Sequence, residues 1–275
     1  MVKKQLIMEK ASELFAKQGF KSTSVQQITE HCGMSKGAFY LSFNSKDELI
    51  LALIEQYIRQ ATANFDYIVN NVNKERLLYD FYQETYHFFY KHANIAKIII
   101  RETQYFSEEL INKIRYYDRL NEKIIITMIE RLYGDTVKDS KFDLLYCIKN
   151  FMTMYADLIL FDNMELDIDI LSRSLAEKTN LLANNITISF ITEKQFELLN
   201  YKIDVEITKE EVIDVLEQSM EEMEESIVKE SLMLLKQNLH EDKFSIAIVK
   251  GLIENIRNHP DCEWSTYLLR MYYQL

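Results

Sequence analysis

Residues 24–49 read SVQQITEHCGMSKGAFYLSFNSKDEL, and their punctuation decides the fold. Ser24 with Gln27 three positions later fits a reciprocal capping box, which starts a short helix over 25–31. Cys32-Gly33-Met34 reads as a turn, because Gly33 takes positive φ at no steric cost, and Ser35 caps a third short helix running to about Ser42. Ser45-x-x-Glu48 then opens a much longer helix. Two short helices about a glycine turn have the size and spacing of a helix-turn-helix, whose second helix fits the DNA major groove. The apolar spacing of Val25, Ile28, Met34, Phe39 and Phe43 suits a generic helical corner equally well, so pattern alone leaves both readings open.

Working outward, residues 5–17 place Leu6, Leu14 and Phe15 at helical spacing, and Gly19 follows as a left-handed C-cap. Downstream, helical periodicity predicts elements at about 47–69, 74–92, 94–102, 107–133, 140–161 and 167–191, with breaks at Asn70-Asn71, Gly134-Asp135 and Asp162-Asn163. Thr192-x-x-Gln195 and Thr208-x-x-Glu211 are further capping boxes. The alternating run 201–207 resembles a strand but has no partner and reads as a connector. Helices resume at about 209–238, 242–258 and 263–273, with Pro260 separating the last two. Five Gly and one Pro in 275 residues supply too few tight turns for an all-β chain. The expected fold is therefore all-α: a three-helix N-terminal unit over 1–46, a larger helical domain over 47–200, and a C-terminal helical extension over 201–275.

Charge divides the chain between different partners. Residues 1–60 carry eight basic and six acidic side chains, against a total of −11, so the remainder holds −13. Residues 204–225 contain ten acidic residues and one lysine and would repel DNA phosphates, so nucleic acid would meet the N-terminus. No apolar segment follows Lys3 and Lys4, and charges interrupt the apolar runs, which predicts a soluble cytoplasmic chain with no membrane partner. Cys32, Cys147 and Cys262 are too few for a disulfide framework and too scattered for a zinc knuckle, and read as small buried hydrophobes.

Phe15, Gly19, Thr23, Ile28, Gly33, Met34 through Phe43, and Lys46-Asp47-Glu48-Leu49 stand in one register that resembles the DNA-binding segment of the TetR (tetracycline-repressor) family, nearly continuously over 5–53. One departure is Ser42, where such proteins often carry His or Tyr before the Phe. With the helix-turn-helix so supported, Ser35, Lys36, Gly37, Ala38 and Leu41 open and line the recognition helix against base edges and phosphates. The resemblance implies that Tyr40 and Lys46 clamp phosphates, with Thr23 and Ser24 contacting the backbone beside them. It also implies a homodimer on a palindromic double-stranded operator, repression by steric blocking, and a small effector held in the helical domain.

Between Tyr79 and Tyr90 seven of twelve residues are aromatic, more than one core-facing stripe requires. Tyr82, Tyr86, His87 and Phe89, with Tyr117, Phe151 and Tyr155 from neighbouring helices, are the expected ligand-binding residues, suited to an apolar, aromatic or cationic molecule. The competing reading is that these rings are core. Glu84-x-x-His87 is half of a di-iron motif without a second copy, and phosphate loops, nucleophile elbows and zinc pairs do not occur, so no metal, cofactor or catalysis is expected. The alternative function is a DNA-binding assembly or cell-division factor that recruits a protein and has no small ligand. Helices 140–161 and 167–191 are the expected dimer elements, and the extension is expected to dock on the effector domain away from DNA.

Overall fold

A computed structural model describes residues 2–161, 167–200, 207–221 and 223–275, and within them the chain forms helices without a strand. The N-terminal unit comprises α1 (Val2–Gln18), α2 (Val25–His31) and α3 (Lys36–Tyr40). Gly19 at φ 90° ends α1, and a Cβ there would sit 3.1 Å from the Glu102 carboxylate, so the position also needs the room. Phe15, Phe20, Ile28, Phe39 and Phe43 are all at or below 5% exposure and form the unit's core.

That core continues past residue 46. Leu49 to Ile54 on α4 (Lys46–Asn71) complete it, together with Ile98 of α6 (Ala93–Glu102), Phe106, and Leu110 of α7 (Glu108–Tyr133). The remaining helices of the central body are α5 (Leu77–Lys91), α8 (Lys141–Phe161), α9 (Ile168–Asn185) and α10 (Glu193–Asn200). α4 packs mainly on α7, and α5 on α9. α8 contains an apolar window long enough to cross a membrane, only a third of it buried. Its Lys149 nevertheless bridges Asp118 and Glu122 of α7, at 2.9 and 2.5 Å, which places that edge inside the bundle.

The helix expected over 167–191 stops at Asn185. The Asp143 carboxylate accepts the backbone N–H groups of Phe190 and Ile191 and the Ser189 hydroxyl, which draws this segment straight alongside α8 before the Thr192 box starts α10. The helix expected over 209–238 is two, α11 (Lys209–Met220) and α12 (Ile227–Glu241), because like charges crowd the stretch after Met220 and Ser226 caps a new start. The break at 162–163 and most of the connector at 201–207 lie outside the described residues.

The extension ends in α13 (Ile246–Ile256) and α14 (Glu263–Tyr273), and each of its longer helices turns an apolar stripe inward, with Val212, Leu216, Leu235, Ile256 and Leu268 buried. In α13 the stripe runs through Val249, Ile253 and Ile256, leaving Ile248 half exposed, and Ile227 lies at the open start of α12. α14 lies along α4, and its Trp264 ring meets Tyr117 of α7. The docking side differs from expectation. A groove of about 1030 Å³ is shared by Lys4, Gln5 and Met8 of α1 with Gln218, Ser219 and Trp264, so the extension stands beside the N-terminal unit rather than remote from it.

Candidate nucleic-acid interface and aromatic layer

The turn between α2 and α3 is closed by backbone: Gly33 holds φ 65°, and the Met34 N–H donates to the Thr29 carbonyl at 2.9 Å. Ser35 then caps α3, its hydroxyl accepting the Ala38 N–H at 3.3 Å. Only Phe39 of α3 is fully buried, and its ring anchors the helix against Phe43. One face is therefore free: Lys36 and Gly37 are exposed, Ala38 is half-buried at its edge, and Tyr40 and Leu41 are 53% and 91% exposed. The Tyr40 ring meets Phe39 edge to face at 5.3 Å between centroids, but about half of Tyr40 and nearly all of Leu41 stay in solvent, so this surface keeps apolar atoms uncovered.

Behind this face the expected phosphate groups are arranged unequally. Ser24 is exposed and completes its capping box with Gln27, whose side-chain oxygen accepts both the Ser24 N–H and its hydroxyl. Thr23 is 1% exposed, its hydroxyl donating to the Gly19 carbonyl and accepting from Gln18, so this side chain lies under the surface and braces the turn between α1 and α2. Lys46 reaches inward as well. Its Nζ donates to the carbonyls of Phe20 and Thr23, at 2.7 and 2.8 Å, and sits 4.3 Å from the Phe20 ring centroid. Burial lowers its pKa against the pull of Asp47. The sequence carries no signal for this bond, because it depends on how two turns converge.

The expected ligand residues fall into two groups and one outlier. Tyr82 and Tyr86 are fully buried on α5, the first hydroxyl paired with Thr179 Oγ1 at 2.8 Å and the second donating to the Phe151 carbonyl at 2.9 Å. Burial pushes both phenols well above their ordinary range. Phe89 meets the Tyr86 ring at 6.2 Å between centroids, and half-buried Phe151 and Tyr155 face the same layer from α8, with Lys178 beside the Tyr155 hydroxyl. Tyr117 belongs elsewhere: its hydroxyl joins Glu55 and Arg59, and the Arg59 guanidinium lies over Trp264. Burial works to raise the Glu55 pKa, but Arg59, Lys113 and Tyr117 hold it below the usual carboxylate range. His87 is exposed on the outer face of α5 and meets neither group. No cluster of His, Cys, Asp or Glu suited to a metal ion occurs among the described residues.

Residues 7–53 match the bacterial regulatory proteins of the tetR family. Over 95% of its length the chain is 26% identical to the HTH-type transcriptional regulator YerO of Bacillus subtilis, covering 92% of that protein. It is 24% identical to the regulator YuxN of the same organism over 98% of both chains. Among solved structures, a transcriptional regulator of the "TerR/AcrR family" from Aquifex aeolicus superposes with a TM-score of 0.54 at 25% identity, over 66% of this chain and 99% of its own.

Proposed function

We propose that this chain, a DNA-binding transcriptional regulator of the TetR family, acts as a homodimeric repressor that occupies a palindromic operator and leaves it when a small effector binds. The observation that carries the reading is the exposed row of Lys36, Gly37, Tyr40 and Leu41 above a buried three-helix core, within the segment that matches the family. In this reading Lys36 and Ala38 meet base edges, while Ser35, Tyr40 and the exposed turn at Ser24 meet phosphates. Thr23 and Lys46 act one layer down, by fixing the turn against the start of α4; the third Lys46 donor is the one left for a phosphate.

One five-residue helix makes few base contacts, so two copies spaced about 34–36 Å apart are needed to read successive major grooves. The exposed Met154 of α8 and the exposed Ile170 and Leu181 of α9 supply the dimer surface. The effector, apolar with aromatic or cationic character, enters the layer of Tyr82, Tyr86, Phe89, Phe151 and Tyr155, and release follows if it binds the wrongly spaced dimer better. The protein works in the cytoplasm, where its operator is, and regulates rather than catalyses.

A second reading, an assembly or cell-division factor without a small effector, is favoured by one observation: the hydroxyls of Tyr82 and Tyr86 are already satisfied inside the fold. Genome-wide immunoprecipitation followed by footprinting tests DNA regulation and should yield a two-fold-symmetric footprint upstream of a gene. A thermal-shift screen with aromatic cations then separates the readings, since the second gives no shift with any of them.

A further inference from the structure

Beyond the end of α9 two large apolar side chains stand almost wholly in water, Ile188 at 87% and Phe190 at 78% exposure. Their segment is nevertheless fixed. The Asp143 carboxylate of α8 accepts the Ser189 hydroxyl at 2.7 Å and the N–H groups of Phe190 and Ile191 at 2.9 and 3.3 Å. Just beyond, the Phe196 ring of α10 stacks on Phe142 at 4.3 Å between centroids, so the first turns of α8 hold this stretch at two points. The backbone leaves α9 extended at Ile186, and in extended chain neighbouring side chains point to opposite sides. With Ser189 turned toward α8, the residues flanking it are turned away, and hydrogen bonds beneath hold an apolar pair outward.

The outer stripe of α9 shows what this pair is for. At spacings of three and four it runs through Ile170, Arg173, Glu177, Leu181 and Asn184, all exposed and only two of them apolar. A standard interface buries about 800 Å² per partner, a little over half of it non-polar. At roughly 200 Å² for a fully exposed large apolar residue, Met154, Ile170 and Leu181 offer on the order of 300 Å², short of that share. Ile188 and Phe190 add about as much again and close the gap. The segment is also continuous with the stripe, because the Ile186 N–H donates to the Leu182 carbonyl at 3.0 Å, one residue after Leu181.

We propose that residues 186–191 form the outer part of the dimer interface, with Ile188 and Phe190 packing on the α8–α9 face of a second copy of this chain and extending the contact begun by Leu181. This rests on the homodimer reading and adds to it a segment outside the two helices expected to pair. Because Asp143 already fixes the segment in one protomer, little order has to be gained on association.

The test is sedimentation of the full-length protein without DNA, joined to hydrogen exchange at concentrations above and below the dimer dissociation constant. Phe190→Glu and Ile188→Glu, each checked for parent-like helicity, should weaken the dimer by about tenfold or more, whereas Phe190→Leu should keep most of the affinity. The amides of 187–191 should exchange more slowly in the dimer. The proposal is overturned if both glutamate variants dimerise with parent affinity, or if 187–191 exchange equally at the two concentrations. Concentration-dependent protection of α9 alone, with Leu181→Glu weakening the dimer, would overturn it while leaving the homodimer reading intact; a parent chain that sediments as a monomer throughout removes both.

Discussion

Asp66 on α4 and Arg270 on α14, 204 positions apart in the chain, meet carboxylate to guanidinium at 2.6 Å. Arg270 also donates to the Leu275 carbonyl, and Arg59 stacks over Trp264, so one face of α4 is pinned to the extension at both ends. Removing one partner strands the other beneath the surface. Arg270→Ala should cost on the order of 2 kcal/mol, less than a fully buried pair because Arg270 keeps about a fifth of its side chain in solvent. Urea titration checks this, and an unchanged midpoint would sink it.

Burial pushes the Asp66 carboxyl up to about 6, against the pull of Arg270 and the Asn70 amide. Unfolded, the same group titrates near 4, so between pH 4 and 6 the folded state holds more protons than the unfolded one. Stability from this group is thus present at low pH and is lost as pH rises through 6. Asp66→Asn is neutral throughout. The parent should lose roughly 2 kcal/mol relative to the variant between pH 4 and pH 6 in denaturant titrations. A difference independent of pH would mean that the ion pair balances desolvation, and one of opposite slope that it outweighs it.

In the reader, Lys46→Ala should lower the melting temperature and weaken binding to all sequences, because the carbonyls of Phe20 and Thr23 lose their donor. Tyr40→Phe and Lys36→Ala touch no core contact and should leave the melting temperature alone. Lys36→Ala should alter base preference. If the third Lys46 donor holds a phosphate, the log–log salt slope also falls by about 0.9 per head, about 1.8 per dimer. Lys46→Ala with parent stability and parent affinity would remove both roles.

Leu181→Glu places a charge on the exposed face of α9, where the leucine is 57% exposed and supports no fold contact worth its removal. Sedimentation should show a shift from dimer to monomer with the monomer fold intact, accompanied by loss of operator binding. A dimer of parent affinity would move the interface off α9.

Truncation after Asn200 uncovers the apolar face of α4 and α7 that Trp264, Tyr267 and Leu268 cover. The shortened chain should melt lower and aggregate. Parent-like melting and solubility would mark the extension as an independent tail.

Helix starts were legible because a cap is local chemistry: Ser24, Ser35, Ser45, Thr192 and Thr208 each accept the N–H three residues on, as their spacing predicts. The reader's core was legible for the same reason, since Phe39 and Phe43 lie one turn apart and must share a face. By itself, then, the sequence determined an all-helical chain, the helix-turn-helix and the amphipathic docking of the extension. What the tertiary structure decided depends on residues distant in sequence. Only the approach of α4 to the first turn makes Lys46 a brace, and only long-range packing separates Tyr117 and exposed His87 from Tyr86. The outward pair of Ile188 and Phe190 arises in the same way, because it is Asp143, 46 positions before Ser189, that turns the serine inward: capping and periodicity act within one or two turns, whereas a site is made by surfaces whose partners are chosen in three dimensions.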